Sequence, residues 1–127
     1  MTLPHPSPLA VLLLCSTDDP DRAAAALLAA RAAAVFGATP RPAVLLLESE
    51  GVRLGAKGVA EAISGGGRPD AKDALASFVR AGGRVLVARA AWAERGYQDD
   101  ALVEGASLCG PSALAELAAS HYAIASF

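Results

Sequence analysis

At 127 residues the chain has room for one hydrophobic core and one domain, and too little for two. Its charges nearly balance, 11 Lys and Arg against 13 Asp and Glu for a net of -2, and the basic residues are scattered, which argues against a nucleic-acid partner. No apolar run approaches the roughly 20 residues that span a bilayer, so no membrane segment is expected.

The hydrophobic fraction of 54% is high, and much of it is alanine. Small side chains let helices approach a sheet or a second subunit closely, so part of that surface is expected to be covered by self-association. The first eight residues, Met1 to Pro8, hold three prolines and no cluster of positive charge, and read as a loose tail ahead of a single domain spanning 9–127. Two cysteines, Cys15 and Cys109, are too few for a disulfide framework and point to reduced thiols in a cytoplasmic protein.

Taken in order, Leu9 to Cys15 is a continuous apolar run, the pattern of a strand covered on both faces. Asp18 or Asp19 can cap a helix that starts at Pro20 and runs to Phe36, where Gly37 ends it. Ala43 to Leu47 is a second buried strand, followed by a loop over Glu48 to Arg53 and a short helix over 56–63. Gly65 to Gly67 read as a linker; they lack the Lys-Ser/Thr of a phosphate loop and follow no strand.

Asp70 then opens a helix carrying Leu75, Phe78 and Val79 on one face, with Asp73 in its first turn and Gly82-Gly83 as its stop. Arg84 to Ala88 is the third strand, with a short helix around 90–95 closed by Gly96. A fourth strand over 105–109, a helix over 112–119 with Leu114, Leu117 and Ala118 inward, and a fifth strand over 122–127 complete the chain. Strands alternating with helices through short connections imply an α/β three-layer sandwich, a mostly parallel sheet of about five strands with helices on both faces.

In such sheets the binding edge lies at the carboxyl ends of the strands. The residues delivered there are Ser16, Thr17 and Asp18, then Glu48 and Glu50, then Arg89, Trp92 and Arg95, then Cys109 and Gly110. Trp92 is expected at the mouth of that edge, where an amphipathic aromatic suits a subunit contact.

Three stretches, Ser16-Thr17-Asp18-Asp19-Pro20-Asp21-Arg22, Glu50-Gly51-Val52 and Glu94-Arg95-Gly96, resemble the DsrE/DsrF-like superfamily, which includes the TusBCD and YchN proteins. The resemblance covers about Leu9 to Ile124. It implies trimers or hexamers, and a sulfur-relay protein as a partner. In sulfur-carrying members a cysteine stands at the end of the third strand, and some have another three residues later. Those positions here are Ala88 and Ala91. An alanine cannot form a persulfide, so the resemblance implies a domain that binds a partner or small ligand, with the relay thiol lost.

Cys109 is the remaining candidate for chemistry. Between a strand and a helix start, its thiolate can be favoured by unpaired amides, giving a sulfur-transfer activity; the alternative is a small inert residue, or a non-catalytic subunit of a relay complex. Thr17, Asp18, Glu48, Glu50, Arg89, Trp92 and Arg95 are the candidate binding residues. Arg89 and Arg95 suit an anion or an ion pair with Glu94 or Asp99. The carboxylates lack an intervening histidine, His5 and His121 stand alone, and neither a metal site nor a cofactor is expected.

Overall fold

The computed structural model describes residues 9–37, 39–63, 73–120 and 122–127. The tail over 1–8, Gly65 to Gly67, Asp70, His5 and His121 lie outside the described residues.

β1 (Ala10–Cys15) leads through α1 (Pro20–Phe36) to β2 (Val44–Leu47). Asp19 caps α1, its carboxylate accepting from the Arg22 amide at 3.1 Å, with Pro20 in the first turn. Such a cap is worth about 1 kcal/mol. Beyond β2, a seven-residue 3-10 helix, Ser49–Gly55, replaces the expected loop, and only Val59–Ala62 of the following helix forms as α2. Then come α3 (Ala74–Arg80), β3 (Arg84–Ala88), α4 (Arg89–Glu94), β4 (Ala106–Cys109), α5 (Ala113–Ala119) and β5 (Tyr122–Ser126).

The sheet is parallel throughout, in the order β4-β3-β2-β1-β5. The first four strands step in one direction and β5 returns to the far side of β1. Right-handed crossovers keep α1, α3 and α4 on one face and force the one returning helix, α5, onto the other.

The two faces differ in depth as a result. Alternate residues Leu13, Cys15, Leu45, Leu47, Val85 and Val87 face the larger core, which they share with Leu27, Phe78, Val52, Leu54 and Trp92. Leu12, Val44, Leu46 and Leu86 face the smaller one, covered by Leu114 and Leu117 of α5. Ala118, expected inward, is exposed, because a two-turn helix meets the sheet along a narrow stripe.

Candidate functional site

The carboxyl ends of β1 to β4 gather the predicted rim residues into two groups. The first is a recess of about 70 Å³ lined by Leu46, Glu48, Ala88, Cys109, Gly110 and the start of α5. Register builds it. Ala88 and Cys109 are Cα partners on adjacent strands, so both side chains emerge on the same face, one strand spacing apart. Glu48 is held at its rim by the Ser16 hydroxyl, which donates to Oε1 at 3.0 Å.

Burial pushes the Cys109 thiol above its ordinary pKa, and the nearby Arg89 guanidinium only partly offsets this. The helix that follows is one of two turns, and desolvation outweighs any help from its start. Cys15 sits in the core, raised in the same way by burial, its Sγ donating to the Thr17 carbonyl at 3.4 Å.

The second group is a charged shelf over the 3-10 helix. Arg53 pairs with Asp18 at 2.5 Å, and Arg95 pairs with Glu50 at 2.7 Å while also donating to the Ala91 carbonyl at 3.2 Å. Arg95 therefore reaches neither Glu94 nor Asp99, the partners its sequence position suggests. The Tyr97 phenol and the Asp18 carboxylate hold the Arg53 guanidinium above its ordinary pKa. Arg53 and Tyr97 were not singled out from the sequence. The signal was present in Arg53, three residues after Glu50 and opposite in charge, but its partner lies 35 residues away.

The Arg53–Asp18 side chains are 47% and 31% exposed, so water screens the pair. A double-mutant cycle on Arg53→Gln and Asp18→Asn, read by urea denaturation, is expected to give a coupling of about 0.2–1 kcal/mol that shrinks in high salt.

Trp92 requires a correction. It is 1% exposed, buried in the larger core and stacked on Tyr97 with ring centroids 4.5 Å apart, and so offers nothing to a ligand or a second subunit. In α4, a helix of alanines and charges, it is the one large apolar side chain, so the helix docks by burying it. Thr17 has a local role, accepting from the Asp19 amide at 3.0 Å.

The two glycines of the matching motifs have separate causes. A β-carbon on Gly51 would lie 2.2 Å from the Cys15 carbonyl oxygen, so the turn after β2 can pack on the end of β1 only with glycine there. Gly96, with φ +76°, takes the left-handed conformation that closes α4.

The DsrE/DsrF-like family model matches residues 9–127, the whole of this fold. The chain belongs to the DsrE/DsrF-like family. Among solved structures, MTH1491, a protein of unknown function from Methanobacterium thermoautotrophicum, is similar to this DsrE-like chain with a TM-score of 0.73 at 16% identity, over 93% of this chain and 98% of that one. At that identity the likeness concerns the fold. No curated protein matches the chain. Among the described residues no helix is long and apolar enough to cross a membrane, and no group of three or more His, Cys, Asp or Glu is placed to hold a metal ion.

Proposed function

We propose that this DsrE-like chain is a homo-oligomeric, cytoplasmic domain that binds a partner or a small ligand at the carboxyl edge of its sheet. The supporting observation is the recess itself: Ala88, where the resemblance puts the family's sulfur-accepting thiol, lines a concave site at that edge together with Glu48 and Cys109. The arginines of the shelf are paired with carboxylates of the same chain, which leaves them less available to an anion than unpaired side chains.

Gly110 offers the test, because it lines the recess yet has open space where a β-carbon would stand. Gly110→Trp should fold and obstruct the recess. Partners captured from a native lysate by the wild type and lost by this variant support the reading. An identical set of partners with both proteins removes it.

A second reading, a sulfur carrier acting through Cys109, is favoured by one observation, the Ala88–Cys109 register. On this reading the thiol stands one strand over from the position the resemblance gives it and lines the same recess. In the step, the Cys109 thiolate attacks the terminal sulfur of a donor persulfide, forming a new persulfide on Cys109 and releasing the donor as a thiolate. The product would carry an added mass of about 32 Da, that of one sulfur.

The sign of the Cys109 shift makes a further prediction. A thiol raised by burial is protonated at neutral pH, so the rate of alkylation by iodoacetamide should rise with a midpoint above the ordinary value of about 8.5. Arg89→Gln, which removes the offsetting charge, should move that midpoint higher still. A midpoint near neutrality would contradict the resting geometry.

A further inference from the structure

The basic residues are scattered in sequence, but the fold brings three of them to the amino edge of the sheet, the end away from the recess. Arg84 opens β3 and is the Cα partner of Val44, the first residue of β2. Arg41 stands just before β2, and its amide donates to the Leu9 carbonyl at 2.9 Å, beside the start of β1. α1 runs back to the same edge, with Arg31 one turn before Ala34 on the same face of the helix. Between these elements lies a cavity of about 190 Å³ lined in part by Ala33, Ala34, Gly37, Arg41, Gly82 and Gly83.

This edge differs from the charged shelf in how its arginines are used. Arg53 and Arg95 are paired with carboxylates, whereas Arg31, Arg41 and Arg84 have no carboxylate partner among the described residues. Arg80 belongs to a separate groove, where Glu61 and Glu104 offset its charge. Arg41 is also held in place. Pro40 and Pro42 restrict the backbone around it, and its carbonyl accepts from the Thr39 hydroxyl at 3.0 Å, while the residue itself stays exposed. Next to Gly37 of the same cavity wall, α1 ends in Val35 and Phe36, 52% and 82% exposed, the most exposed large apolar side chains among the described residues. A fixed, unpaired cation beside a bare aromatic has no partner within the fold, and fixing such groups in advance lowers the cost of binding one outside it.

We propose that the amino edge docks an acidic segment of a partner protein, with its carboxylates on Arg31, Arg41 and Arg84 and an apolar side chain on Phe36. Size and charge decide among the occupants. The cavity is smaller than the roughly 300–1,000 Å³ of pockets that enclose a small molecule, and suits one anchoring side chain of a larger partner. Three arginines fall short of the roughly 6–10 phosphate contacts of a nucleic-acid interface, and a net charge of -2 opposes a long polyanion. The surface is separate from the recess and does not depend on what the recess binds.

The probe is a short rhodamine-labelled peptide of Glu, Ser and a single Leu, followed by fluorescence anisotropy, with Gln in place of Glu in its uncharged counterpart. The acidic peptide should bind at micromolar concentration and weaken as salt is raised. The Arg41→Gln, Arg84→Gln double variant should bind it about tenfold more weakly, and Phe36→Ser several-fold more weakly. Arg22→Gln, which removes a charge at the other end of α1, and Gly110→Trp, in the recess, should leave binding unchanged. All five positions are exposed, so the variants should melt cooperatively like the wild type. Equal binding of the two peptides, equal weakening by Arg22→Gln and the double variant, or loss of binding with Gly110→Trp overturns the proposal. A single-stranded RNA of similar length that binds more tightly than the peptide also overturns it.

Discussion

Trp92→Ala is expected to lower the free energy of unfolding by about 3–5 kcal/mol, the range for emptying a fully buried large aromatic site, measured as a lower urea midpoint at unchanged slope. The reason is local. α4 is six residues long and too short to be stable by itself, and its one large buried contact is the indole, stacked on Tyr97 and packed into the core that holds Val52 and Leu54. Without it α4 loses its attachment, and with α4 goes the Arg95–Glu50 pair on the shelf.

Trp92→Phe should cost much less. Phenylalanine keeps an aromatic face against Tyr97 and removes the indole Nε1–H, which has no hydrogen-bond partner among the described residues. Equally small losses in the two variants would mean that the stack and packing contribute little and that α4 is held by other contacts.

The second large effect is expected at Gly51. A methyl group there would overlap the Cys15 carbonyl oxygen, a backbone atom that cannot move aside without shifting the end of β1. Gly51→Ala should therefore cost about 1–3 kcal/mol, the range for overpacking, although alanine is intrinsically the better helix former. The same shift would disturb the Glu48 amide, which donates to that Cys15 carbonyl at 3.0 Å, and so the wall of the recess. Thermal melts with amide exchange at 48–52 distinguish this from a uniform loss of stability. A variant as stable as the wild type would show that the turn has room to move.

Much of the fold was legible because its signals are local. β1, β2 and β3 are continuous apolar runs that end in polar residues, α1 has its cap and proline adjacent in sequence, and Gly82-Gly83 stops α3. The 3-10 helix was not legible, since Gly51, Arg53 and Gly55 interrupt Val52 and Leu54 and leave no 3.6-residue period.

The place of Glu48 and Cys109 at the carboxyl edge was legible, and the pairing of the charged side chains around them was not. Carboxyl-edge placement follows from the α/β pattern, but whether Arg95 faces Glu94, Asp99 or Glu50 depends on how the 3-10 helix lies over α4. Trp92 was misplaced for a related reason: in a helix of alanines, a single large apolar residue reads as exposed or as the anchor equally well, and only the packed structure decides.

The lone position of α5 on its face of the sheet bears on access to the recess. Local stability follows buried apolar contact, and α5 contributes Leu114 and Leu117 to a small cluster, whereas α1 and α3 are sunk in the larger core. Excursions that detach α5 therefore need less free energy than global unfolding. Because Ala113 and Leu114 also wall the recess, each such excursion uncovers Cys109 further. Cys109 is already part-exposed at rest, so such excursions of one short helix widen its exposure rather than create it.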